Sequence, residues 1–245
     1  SEDIASRGFK LALEGYQNKV FIDIMNVHDT EGRYTKLFEI VDSRGIADLD
    51  DALLEADQPE LYRSLHNAIN SLSSIETIQN LSQEEAIQRA TIFSEIFFSR
   101  LCEIAGSDDT LAASRSDSVR SASSWLKTVL KLLYGTTESD AGIAAATLWN
   151  NSSASNSEYQ QYRLILLIYS FMRSLVKAFA ADELNEEVSR VVKEYRIAKK
   201  LTESAVGLSR RNDSHDTKYH VSICAEIAIA WALRQDKLFF DTRRT

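Results

Sequence analysis

Proline is almost missing from these 245 residues: Pro59 stands alone, and only eight glycines accompany it. A β-sandwich or an α/β protein of this length needs many tight turns, which these two residue types supply. Their scarcity points to long helices with few breaks. Cysteine is also scarce. Cys102 and Cys224 sit singly within apolar helical patterns, which leaves either a disulfide or two buried thiols in a reducing compartment. The isolated apolar settings favour the thiols, hence a cytoplasmic location, and then Asn-x-Ser triplets such as 80–82 have no glycosylation meaning. The four histidines lie apart at 28, 66, 215 and 220, and neither cysteine has a partner at ligand spacing. No metal and no cofactor are expected. Glycines form no phosphate-cradling loop.

Long apolar runs are absent too. The longest, "LILLI" at 164–168, is far short of the ~20 residues that cross a bilayer, and no basic-then-apolar secretion signal opens the chain. No membrane partner is expected. Positive charge is in deficit, with a formal net charge of −8. Non-specific nucleic-acid binding needs a basic surface, so this balance argues against it, although a local basic patch stays open. What remains is ordinary for a folded protein: 44% hydrophobic and 26% charged residues.

Apolar residues recur mostly at i, i+3, i+4 and i+7. The exception is "VFIDIM" at 20–25, a possible short strand. Otherwise the pattern predicts helices over 3–28, 32–41 and 47–56, with Gly45 available as a left-handed cap after the second. Asp57 can cap the next helix, Pro59 suits its first turn, and Leu61, Leu65, Ile69, Leu72 and Ile75 form one stripe. Ser82 and Glu85 have the spacing of a capping box and open a helix running to about Gly106. A Ser-rich loop is expected at 113–124, with the helical pattern taking over within it at 118 and running through 134 into Gly135. A short helix at 139–150, a loop at 151–157 and three long helices at 158–180, 182–208 and 215–238 complete the chain. Short polar connections imply antiparallel neighbours and one all-α unit of about nine helices.

Several segments, in order, resemble the 14-3-3 family. "EGRYTKLFEIVDSRG" at 31–45 resembles its second helix, "LYRSLHNAINSLSS" at 61–74 its third, and "SSWLKTVLKLLYGTTE" at 123–138 its fifth. "YRLILLIYSFMRSLV" at 162–176 matches the helix that begins Ile-Arg-Leu in the family. "ESAVGL" at 203–208, followed by the segment from Tyr219, resembles the last two helices. The likeness runs from about residue 18 to residue 240 and implies one helical domain over 18–245, with 1–17 an extension of helix one. It implies a concave cup, a homodimer, and a groove that binds phosphoserine or phosphothreonine peptides through a Lys, two Arg and a Tyr, with two Asn on the peptide backbone.

Carried over residue by residue, those cations are missing. Alignment on the shared Asn67 puts His66 at the phosphate-binding Lys and Ser73 at the first Arg. Tyr134 and Gly135 replace the Arg-Tyr pair, and the two Asn positions fall on Tyr169 and Ile229. The run "SLHNAINSLSS" at 64–74, where such a pocket should begin, holds no charged side chain. Lys127, Lys131 and Tyr134 share one helical face and offer a partial replacement, or simply a solvated face. Losing two bidentate donors would cost about 3 kcal/mol or more. The resemblance therefore implies a non-catalytic adaptor whose groove takes protein segments, phosphorylated or acidic ones included, with weakened phosphate recognition. The dimer surface changes as well. Arg33 and Tyr34 are kept, Lys36 stands where the family has an acid, and Phe93, Phe97 and Phe98 replace polar partners, either at the interface or facing inward.

Two alternatives remain. Arg210 and His215 have the Arg-x4-His spacing of HEPN-type ribonucleases, although the residues between them are all polar, as in an interhelical loop with Asp213 or Ser214 as N-cap. The other is a helical scaffold or a viral coat or nucleoprotein, which the acidic balance disfavours where RNA is concerned.

Overall fold

The computed structural model describes residues 28–40, 46, 48–75, 82–105, 112–134, 157–179, 185–208 and 215–241. Every element among them is helical, and none is a strand. The expected helix at 3–28, the possible strand at 20–25, the extension 1–17, the Gly45 cap and the helix at 139–150 lie outside the described residues. The chain divides into two units, Ser1–Gly45 and Ile46–Thr245.

In the first unit, helix α1 spans Arg33–Ile40. Its start is organised by Asp29, whose carboxylate accepts the Tyr34 N–H at 3.2 Å, the Thr35 N–H at 2.8 Å and the Thr35 hydroxyl at 2.7 Å. The Thr35 hydroxyl is the main reason that this acid is held below its ordinary range. Gly32 turns the chain into the helix at φ +70°, a backbone region that suits glycine. Leu37 is buried, while Phe38 is 84% exposed.

In the second unit, α2 spans Leu49–Asp57, α3 Pro59–Ser73, α4 Gln83–Ala105 and α5 Ala112–Leu133. Then come α6 at Ser157–Ala178, α7 at Asn185–Glu194, α8 at Ile197–Leu208 and α9 at His215–Asp241. Helix α3 packs on α4, α4 on α5, α5 on α6 and α6 on α9; α9 packs on α7 and α8, and α8 returns to α3. The packing order thus closes on itself. Gln83 at the start of α4 donates to the Tyr134 carbonyl at the end of α5 (3.4 Å), so these two helices run antiparallel. Inside lie Phe97 and Phe98 of α4 and Phe171 of α6, with ring centroids 5.2–6.0 Å apart, together with Leu101, Leu126, Leu130, Met172 and Leu175.

The apolar stripe expected on α3 is real: Leu61, Leu65, Leu72 and Ile75 are buried and Ile69 packs partly against them. The capping box also forms. The Ser82 N–H donates to Glu85 Oε2 at 2.8 Å, and the Glu85 N–H donates to Ser82 Oγ at 3.3 Å. The Ser82 hydroxyl and N–H together hold the Glu85 acid below its ordinary range.

Three boundaries differ from the expectation. Asp57 is not the cap of α3 but the last residue of α2, because the Gln58 N–H donates back to the Leu54 carbonyl (3.0 Å) and leaves one residue between the helices. The Ser-rich segment 113–124 lies inside α5 rather than in a loop. There the Ser123 hydroxyl donates to the Val119 carbonyl four residues back at 2.9 Å, so a polar residue is satisfied within its own helix. Small residues also let α5 approach its neighbours, and Ala122 and Ser123 are buried. Finally, the segment 182–208 is two helices, broken at Tyr195 and Arg196, where Arg196 takes φ +49°.

Candidate functional site

The charge-free run 64–74 has a packing explanation. Ser64 and Ser71 are buried, and each hydroxyl donates to a carbonyl three residues earlier, Leu61 at 2.7 Å and Ala68 at 2.8 Å. Small side chains that satisfy themselves suit a close interhelical seam, where a charge would be desolvated without a partner. His66 and Asn67 face solvent from the same helix. Ser73 is half-buried and lines a small apolar cavity among α3, α6 and α8, beside Leu72, Leu164, Phe171 and Leu201.

Lys127 and Lys131 do share a face, but it meets α4. Lys131 lies 2.8 Å from Glu84 Oε1 and Lys127 3.8 Å from the same oxygen, while Lys127 also bonds Gln88. The bond from Lys131 lowers the Glu84 pKa. Tyr134, one turn on, is buried, and that burial pushes its phenol well above the usual tyrosine range. Among the dimer candidates, Phe97 and Phe98 take the inward alternative and are wholly buried on Phe171. Phe93 is half-buried, with the Arg89 guanidinium 5.6 Å from its ring centroid, and Ile92 and Ile96 are exposed beside it. Arg33 and Tyr34 are half-buried and Lys36 is exposed within the first unit.

The positions aligned with the peptide-holding Asn residues behave differently from one another. Ile229 is buried, with Val221, Ala225, Ala228 and Ala232, on the inner face of α9. Tyr169 is half-buried on α6, and its ring centroid is 5.0 Å from that of Trp231. Around this pair lies apolar surface the sequence reading missed: Tyr219, Ile227 and Trp231 on α9, and Leu166 one turn before Tyr169 on α6, are all exposed. Ile223 lies between them, half-buried. The spacing of four from Tyr219 through Ile223 and Ile227 to Trp231 was a readable signal, since such residues follow one side of a helix. An exposed aromatic and aliphatic strip of this kind marks an interaction surface more often than a catalytic one.

The densest charged cluster among the described residues was not anticipated. At the α7–α8 break, the Arg196 guanidinium donates to Asp48 at 3.2 Å, to Asp50 at 3.1 Å and to Asp51 at 2.5 Å. Lys199 Nζ donates to Asp48 Oδ2 at 2.6 Å and lies 2.5 Å from Asp51, and Lys200 lies 2.5 Å from Glu55. The Tyr62 hydroxyl donates to the Tyr195 carbonyl at 2.9 Å, and burial, reinforced by Glu55 and Asp51, pushes its pKa up to about 12. The Lys199 bond, with the Asp51 N–H, drives the Asp48 acid far below the carboxylate range. Burial works against Asp51, yet bonds from Lys199 and Arg196 still lower it.

Arg210 lies outside the described residues. His215 is the first residue of α9, and its side chain is not described. Among the described residues no group of three or more His, Cys, Asp and Glu is placed to hold a metal ion, and no helix is long and apolar enough to cross a membrane. Fold and surface together define an all-helical protein with an exposed aromatic strip and a self-paired charge cluster. Among known proteins, no family model matches the chain, and neither a curated protein nor a solved structure does.

Proposed function

We propose that this protein is a non-catalytic adaptor of 14-3-3 type, a cytoplasmic homodimer that binds extended protein segments with little dependence on phosphate. The observation that carries the reading is the contact of half-buried Tyr169 with exposed Trp231, continued along α9 by exposed Ile227 and Tyr219. Such a strip offers rigid, amphipathic contact area to a peptide, and aromatic anchors of this kind dominate many interfaces. The weakened phosphate response is supported by Lys127 and Lys131, whose charge Glu84 offsets in part, and by the charge-free run on α3. The concave cup and the dimer come from the resemblance.

Selection of a random displayed peptide library on the immobilised protein tests this. Enriched peptides should carry apolar residues, lose on the order of tenfold or more in affinity to the Ile227→Glu variant, and bind equally with or without a phosphoserine. Binding indifferent to Ile227→Glu would discard the surface. A tenfold preference for the phosphorylated twin would discard phosphate independence.

A further inference from the structure

Helix α2 is attached to the rest of its unit in an unusual way. Of its residues only Asp51 and Leu53 are buried, and Leu53 stands outside the contiguous apolar core. Its hold on α8 is electrostatic: Asp48, Asp50, Asp51 and Glu55 face Arg196, Lys199 and Lys200. Nine residues make too short a helix to persist alone in water, so α2 keeps its form through this seat and the Asp48 cap, which accepts the Asp51 N–H at 3.1 Å. A single residue, Gln58, joins it to α3, and the Gln58 side chain makes no cap bond. Pro59 begins α3, so α2 and α3 are not built as one continuous rod.

The receiving side is equally specific. Arg196 occupies a left-handed conformation, at φ +49°, that non-glycine residues rarely adopt. That kink breaks the helix so that Arg196 precedes α8 while Lys199 and Lys200 follow within its first turn. Three cations thereby converge at a helix N-terminus, whose unpaired N–H groups favour negative charge as well. The present occupant shows what the corner accepts: a short acidic helix carrying Asp-x-Asp-Asp followed by Glu four residues on.

We propose that Arg196, Lys199 and Lys200 form a recognition site for acidic helical protein segments, which α2 occupies as a built-in competitor. A partner segment with the same carboxylate spacing displaces α2, and the tethered helix sets the threshold through its high local concentration. The site is distinct from the aromatic strip and does not depend on the adaptor reading.

The test uses the full chain and a fluorescent peptide copied from residues 46–57, followed by anisotropy. An Asp48→Asn/Asp50→Asn/Asp51→Asn variant, its own competitor neutralised, should bind the peptide on the order of tenfold more tightly than wild type. Adding Arg196→Gln and Lys199→Gln should remove that binding. No gain in a variant with native helix content, or a gain that survives loss of the two cations, overturns the proposal. So does tighter binding of a single-stranded oligonucleotide than of the peptide. Should the triple variant not fold, amide exchange in wild type decides. Raising salt from about 0.1 M to about 1 M shortens the screening length from ~10 Å to ~3 Å and should speed exchange in α2 while α3 and α4 hold. Exchange of α2 only at the rate of the core would overturn it.

Discussion

Single side chains set two outcomes that a sequence cannot separate by residue type. Phe171 is enclosed by Phe97 and Phe98 at 5.7 and 5.2 Å between centroids. Phe171→Ala leaves a cavity that these rings cannot refill, so urea denaturation should show a loss of about 3–5 kcal/mol. Ile227 and Ile229 make a sharper pair. Two residues along a helix rotate a side chain by about 200°, and so Ile227 is exposed where Ile229 is buried. Ile229→Ala should cost about 2–5 kcal/mol, whereas Ile227→Ala should change stability by about 0.5 kcal/mol or less and act on peptide binding instead. Equal thermal shifts in the two variants would refute this assignment of faces.

Element by element, the helices depend on their ends more than on their middles. The reciprocal Ser82–Glu85 bonds start α4, and Ser82→Ala should cost about 1 kcal/mol in denaturant midpoint analysis. The break before α8 is a stronger probe. Arg196 combines a left-handed backbone with ion pairs to Asp48, Asp50 and Asp51. Both Arg196→Ala and Arg196→Gly lose those pairs, but glycine alone relieves the backbone. The glycine variant should therefore be more stable than the alanine variant by about 1–2 kcal/mol. If alanine is as stable as glycine, the conformation at 196 is unstrained. A single helix over 182–208 is the expectation because Tyr195 continues the apolar period of Val188, Val191 and Val192, and neither glycine nor proline marks a stop at 195–196.

At the scale of the whole molecule, α8 completes the packing circuit by returning to α3 and, through charge, to α2. Asp48 and Asp51 are held below their unfolded pKa. Their contribution is therefore complete above about pH 4 and falls away as acid protonates them. Lys199 is raised above its unfolded value by its bonds to Asp48 and Asp51. Its contribution is complete below about pH 10 and disappears as the pH rises through the folded value. Protection of α2 amides by the folded state should thus be flat between these limits and fall on both sides. Asp48→Asn/Asp51→Asn should remove the acid limb; an unchanged limb would place the acid sensitivity elsewhere.

Residue order alone determined the all-helical class, because proline and glycine are too few for other folds and the apolar spacing follows a helical turn. It also determined the α3 stripe and the start of α4, since each depends on contacts within a few residues. The ring of α3, α4, α5, α6, α9 and α8 came only with tertiary structure, as did the inward turn of Ser64 and Ser71 and the outward turn of Ile227. The pairing of α2 with Arg196 joins residues almost 150 positions apart. Such pairings depend on which faces meet, and a one-dimensional pattern that fixes the period of a helix leaves open the direction in which each face points.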